Sequence, residues 1–119
     1  MRLINAFFYS CQGLSAAWHN EASFRLEVII TLLLIPLVFW LGKTRIERAL
    51  LWFAWILVPL MELVNSGIEA VVNRIGPEWH PLSGMAKDIG SAAVLVAALN
   101  AVLIWAILLI HRKNPRKKA

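Results

Sequence analysis

The sequence predicts an all-α membrane protein: an N-terminal amphipathic helix on the bilayer surface, then three transmembrane helices. Two observations lead there. The chain is 60% hydrophobic, whereas an ordinary soluble domain is about 45–50% apolar. Three long apolar runs, separated by short polar stretches, are of the size a helix needs to cross hydrocarbon, roughly 17–25 residues. The 119 residues allow one domain, 1–119, because a single core rarely divides at this length.

The first element spans residues 2–19. Leu3, Ala6, Phe7, Leu14, Ala17 and Trp18 recur near helical spacing, while Asn5, Gln12, Ser15 and His19 are polar. That pattern suits a helix lying in the interface plane. No charged segment, apolar core and small-residue cleavage site open the chain in the manner of a signal peptide, so this helix is expected to be retained. Asn20 is placed to cap the next helix. The first span, 26–42, contains Pro36, which removes one backbone hydrogen bond and is expected to bend the helix. The second, 46–73, is longer than a bilayer requires, so its last turns should emerge from the hydrocarbon. Ile75 to Gly84 is rich in Gly and Pro and reads as a surface loop. The third span, 87–111, ends in a basic tail, 112–119. Trp40, Trp52 and Trp105 read as interfacial or lipid-facing anchors.

The formal net charge is +5. Much of the excess lies in the tail, at Arg112, Lys113, Arg116, Lys117 and Lys118, where anionic headgroups are the natural partner. Nucleic-acid binding is therefore not expected. Cys11 has no second cysteine to pair with, and no His/Cys spacing suits zinc. Gly42-Lys43-Thr44 looks like the end of a phosphate-binding loop, but that motif needs Gly at position 37, where Leu37 stands.

Chemistry concentrates at the end of the second span. An Asp or Lys near mid-membrane costs roughly 2.5–3.5 kcal/mol on insertion scales. Yet Glu62 follows thirteen uncharged residues, Ala49 to Met61. At about 100° per residue, Glu62, Asn65, Ser66, Glu69 and Asn73 fall within about 100° of arc. They form one polar stripe running from inside the membrane to its surface. Glu62 is the candidate general base for a hydroxyl presented from the lipid side. Glu69, nearer water, suits a hard cation such as Mg²⁺, which takes carboxylate oxygen and keeps several waters. Asn65 can donate and accept between them. A second cluster, Lys87, Asp88 and Ser91, opens the third span. Lys87 can neutralise phosphate oxygens; read alone, the pair is a helix-end anchor. Glu21, read alone, is a solvated junction residue, and Glu27 begins the first apolar run.

These motifs together resemble the prokaryotic-type diacylglycerol kinase family of small three-span membrane enzymes. The matching residues are Ala16-Ala17-Trp18-His19-Asn20-Glu21-Ala22, the stretch from Glu62 through Glu69 to Gly76, and Ala86-Lys87-Asp88-Ile89-Gly90-Ser91-Ala92-Ala93-Val94. The likeness runs from Arg2 to the end of the third span. It implies transfer of the ATP γ-phosphate to the hydroxyl of diacylglycerol, with Glu62 as catalytic base assisted by Asn65, and with Glu21 and Glu69 holding Mg²⁺. It assigns ATP contacts to Arg2, Tyr9, Glu21, Asn65, Glu69, Glu78, Trp79, His80, Lys87 and Asp88. Lipid contacts fall on Arg2, Ser15, Ala16, Ala17, Trp18, Ser23, Phe24, Arg25, Leu26, Glu27, Glu62 and Ser91. It also implies a homotrimeric bundle whose active sites are shared between subunits. Two positions depart from the pattern: Gly67 stands where the family often has Ala, and Met85 where some relatives carry a basic residue.

Orientation brings two rules into conflict. With three spans, the N-terminal side carries Arg2, Arg25, Arg74 and Lys87, and the opposite side Lys43, Arg45, Arg48 and the tail. Charge counting puts the tail in the cytoplasm. ATP is cytoplasmic, however, and the motif residues lie on the other side. The expectation is therefore a multi-pass protein of the bacterial inner (cytoplasmic) membrane with a cytoplasmic N-terminus. Two other readings share some of the residues. Undecaprenol, a polyprenol, is an alternative acceptor for the same machinery. A small ion-coupled transporter would use Glu62 as its ion site, but leaves Glu21 and Lys87-Asp88 without roles.

Overall fold

A computed structural model describes residues 1–113, with side chains to Ile110. The tail expected over 112–119 lies outside the described residues, apart from the backbone of Arg112 and Lys113. Four helices follow one another: α1 (Arg2–Asn20), α2 (Ala22–Leu41), α3 (Arg45–Ile75) and α4 (Pro81–Lys113). Ala22–Leu41, Arg45–Ile75 and Pro81–Ile110 are long and apolar enough to cross a membrane.

One residue separates α1 from α2. Glu21 is extended (φ −118°, ψ 105°), which ends α1, although its N–H still donates to the Ala17 carbonyl at 2.9 Å. Asn20 is not the cap of α2. Its Nδ2 donates back to the Ala16 carbonyl at 2.9 Å, and Glu21 takes the cap position. The last carbonyls of α1 have no amide of their own helix to accept from. The Arg25 guanidinium occupies two of them, donating to Trp18 O at 2.7 Å and His19 O at 3.2 Å. A cation there also suits the negative end of the helix dipole. α2 starts at Ala22, several residues before the apolar run, and continues through Pro36 to Leu41.

The turn between α2 and α3 is Gly42-Lys43-Thr44. Gly42 is buried in a space too tight for a side chain: a Cβ there would lie 2.5 Å from Arg48 Cγ and 2.9 Å from Val38 O. Arg48 Nε donates to Gly42 O at 3.0 Å, and its guanidinium lies over Phe39, 5.7 Å from the ring centre. Thr44 Oγ1 accepts the Glu47 N–H at 3.1 Å, and Glu47 Oε1 accepts the Lys43 N–H at 3.0 Å. The pair satisfies two amides in the manner of a capping box.

α3 is the centre of the bundle, packed chiefly on α4 and less on α2. Val58 of α3 meets Ala97 and Ala101 of α4, with Trp55, Leu57, Met61 and Ala98 around them. Small residues let membrane helices approach closely, where van der Waals contact replaces the hydrophobic drive. Two indoles pin α3 to its neighbours. Trp55 Nε1 donates to Thr31 Oγ1 at 2.7 Å, and that hydroxyl donates to Glu27 O at 2.6 Å. Trp105 Nε1 donates to Leu51 O at 3.0 Å. Trp105 is thus half-buried against α3 rather than a lipid-facing anchor, because an indole N–H in hydrocarbon needs an acceptor.

α4 begins earlier than the apolar run suggests. Pro81 occupies the first helical position, where its missing N–H costs nothing. His80 Nδ1 accepts the Leu82 N–H at 3.1 Å. Leu82, Ser83 and Gly84 are consequently helical, and only residues 76–80 form the loop. Gly76 (φ 155°) ends α3 in a conformation that L side chains rarely adopt.

Candidate active site

A groove of about 750 Å³ runs between α1 and α3. Small side chains open it: Gly13, Ala16 and Ala17 on one wall, Gly67 and Ala70 on the other. Polar groups project along it from Ser10, Asn20, Glu21, Ser66, Glu69 and Asn73. Glu21 reaches it because the chain is extended between α1 and α2. Glu69 reaches it because it lies on the polar stripe of α3. The two carboxylates expected to hold a metal ion therefore line one space, together with Ala16 and Ala17.

Glu62 lies within electrostatic reach of Glu21 and Glu69, and Glu27 of α2 lies within reach of Glu62. Four acids from α2, α3 and the α1–α2 joint thus gather around the inner end of the stripe. Glu27 is more involved than its place at the start of an apolar run indicates. It is partly buried, and its Oε1 is shielded with no hydrogen-bond partner. The signal available in the sequence is that no other acid lies within α2. Asn65 is the sole buried polar residue among those described, 6% exposed. Its Nδ2 donates to Glu69 Oε1 at 3.1 Å, so it fixes the carboxylate that lies one turn outward.

The remaining expected site residues do not line this groove. Phe24 is buried, and Arg25 is spent on the α1 carbonyls. Ser15, Trp18, Ser23 and Leu26 are exposed near the joint, with the Ser15 carbonyl 2.7 Å from His19 Nδ1. Arg2 and Tyr9 are exposed on α1. Glu78, Trp79 and His80 stand on the 76–80 loop, with Trp79 85% exposed. Lys87, Asp88 and Ser91 are exposed on α4.

Two carboxylates, Glu21 and Glu69, are the groups in the groove that could hold a cation. Among the described residues no group of three or more His, Cys, Asp or Glu is arranged to hold a metal ion by protein ligands alone. Mg²⁺ is usually bound by one or two carboxylates, with phosphates and water supplying the rest. Glu21 and Glu69 on one open groove fit that pattern.

Fold and site define a multi-pass helical membrane protein with a carboxylate-lined groove beside a span. Residues 8–109 match the family model for prokaryotic diacylglycerol kinase. The chain is 54% identical over 108 residues to a diacylglycerol kinase of Escherichia coli K12, covering 91% of this chain and 88% of that one. It is 50% identical over 103 residues to one from Haemophilus influenzae, 87% of each chain. With one from Pseudomonas aeruginosa it shares 46% over 109 residues, 92% of this chain and 89% of that one. The chain belongs to the prokaryotic diacylglycerol kinase family, and is thus a bacterial multi-pass membrane enzyme of the kinase class.

Proposed function

We propose that this protein transfers the γ-phosphate of ATP to the hydroxyl of diacylglycerol, giving phosphatidic acid, with Glu62 as general base. The observation that supports this most is the position of Glu62. It lies on a membrane-spanning helix, with Glu21 and Glu69 as its charged neighbours. A hydroxyl held at the lipid–water boundary can give its proton to Glu62 while the groove presents phosphate.

Phosphoryl transfer asks for positioning and charge neutralisation more than covalent chemistry. Glu21 and Glu69 would hold Mg²⁺, which when bound screens the phosphate oxygens and orients them. Asn65 keeps Glu69 in place through its 3.1 Å bond. Lys87 adds positive charge on α4, with Asp88 beside it. Arg2 and Tyr9 on α1, and Glu78, Trp79 and His80 on the loop, supply further contacts for the nucleotide. Ser15, Ala16, Ala17, Trp18, Ser23, Phe24, Arg25, Leu26, Glu27 and Ser91 form the lipid's surroundings. The family pairing of subunits into a homotrimer supplies the walls that one protomer lacks, since polar groups within a membrane face a bundle interior. α1 then lies in the interface plane, and the N-terminus is cytoplasmic in the inner membrane.

A mixed-micelle assay with ATP, Mg²⁺ and either diacylglycerol or undecaprenol tests the reading. Glu62→Gln should lower turnover by at least the 10²–10⁴-fold typical of a general base while the oligomer still assembles. Turnover near wild type in that variant removes Glu62 from the reaction. Phosphorylation of undecaprenol alone would transfer the assignment to polyprenol. Protection of the tail from protease in sealed spheroplasts would reverse the orientation.

A further inference from the structure

We infer that Gly90 of α4 is a positioning residue: its bare Cα seats the Asn65 amide so that Asn65 holds Glu69 for the metal. This rests on the proposed metal role of Glu69 and extends it to a helix that contributes nothing to the groove wall.

Three observations combine. Gly90 is buried where α4 crosses α3. A Cβ built on it would collide with Asn65 Oδ1, with Asn65 Cγ at 3.2 Å and Ile68 Cδ1 at 3.6 Å. Asn65 Oδ1 is itself shielded with no conventional hydrogen-bond partner, while Nδ2 of the same amide donates to Glu69 Oε1 at 3.1 Å. The hydrogen that a Cβ would replace therefore points at Oδ1, a weak Cα–H···O contact that recurs at helix–helix interfaces.

The amide cannot yield without loss. Turning it over would set Oδ1 against a carboxylate oxygen. Swinging it aside would break the bond to Glu69. Gly84 of the same helix does not share this constraint: a Cβ there meets nothing within 4 Å. Partners of a metal-binding carboxylate typically matter 10–100-fold in metal affinity.

The test uses the full-length protein in detergent, with Mn²⁺ as the probe. Mn²⁺ binding is read by electron paramagnetic resonance in the presence of a non-hydrolysable ATP analogue. Gly90→Ala should weaken Mn²⁺ by about 10–100-fold. The Mg²⁺ concentration for half-maximal turnover should rise in step, with a smaller change in the rate at saturating Mg²⁺. Gly84→Ala should bind Mn²⁺ as the wild type does. Asn65→Ser, too short to touch Glu69, should weaken Mn²⁺ similarly and make room for a Cβ. Adding Gly90→Ala to it should then change nothing. That pair also decides the matter if Gly90→Ala alone does not assemble. Wild-type Mn²⁺ affinity in Gly90→Ala, or a further loss when it is added to Asn65→Ser, would overturn the inference. Glu69→Gln separates the two levels. If it binds Mn²⁺ normally, the metal role of Glu69 is wrong; if it loses Mn²⁺ while Gly90→Ala retains it, only the role of Gly90 is wrong.

Discussion

The bond between Trp55 and Thr31 joins α3 to α2 inside the membrane, and its two ends should not be equivalent. Trp55→Phe removes the donor but leaves the Thr31 hydroxyl donating to Glu27 O at 2.6 Å. The expected loss is that of one interhelical hydrogen bond, about 0.6 kcal/mol on average and up to about 1.7, plus the packing of the missing ring. Thr31→Val instead strands the indole N–H in hydrocarbon, which costs about 1–3 kcal/mol. The Glu27 carbonyl loses little, because it keeps its helical partner. The double variant should cost less than the sum, since with Phe at 55 no indole N–H is left to strand, and packing losses common to both backgrounds cancel in the cycle. The coupling should be about 0.6–1.7 kcal/mol. Unfolding by sodium dodecyl sulfate in mixed micelles, followed by near-ultraviolet circular dichroism, measures all four proteins. Additivity within about 0.3–0.5 kcal/mol, the behaviour of independent sites, would show that the 2.7 Å contact contributes nothing to holding α2 on α3.

Thr44→Ala should destabilise by about 0.5–2 kcal/mol through loss of the α3 cap, seen as a lower midpoint in the same titration, and Thr44→Ser should restore most of it. Among the described residues Leu51 is the most enclosed large side chain, 1% exposed. Leu51→Ala should therefore fall in the range of about 2–5 kcal/mol for poorly collapsing cavities, with activity retained at low temperature. Chelation by EDTA should stop turnover, and Mg²⁺ should restore it. Glu21→Gln and Glu69→Gln should each raise the Mg²⁺ needed for half-maximal rate, whereas Glu47→Gln, at the other end of α3, should not.

Hydropathy is enough to locate the three long helices, because hydrocarbon admits few alternatives to a helix for an apolar run of that length. Their ends are less legible. Pro81 has the look of a loop residue, but proline is equally at home in the first turn of a helix, and the His80 ring completes that turn. Asn20 has the chemistry of a cap, yet Glu21 is the residue that leaves the helix. Trp105 matches an interfacial anchor by type alone; its acceptor lies on another helix, fifty-four positions away. At the site, periodicity places Glu62, Asn65 and Glu69 on one face, since they share a helix. It is silent on Glu27 near Glu62 and on Gly90 against Asn65. Those pairs depend on how two helices cross, and spacing within either helix does not encode that.

The one-residue joint at Glu21 has a consequence for how this chain can vary. The two torsions that aim α1 also aim the acid, so there is no slack to absorb an inserted residue. One extra position would add two more torsions between the helices, re-aim α1, unhook its last carbonyls from Arg25, and carry Glu21 away from Glu69. A longer 76–80 segment touches none of these. The elbow is therefore where a length change should be least forgiven.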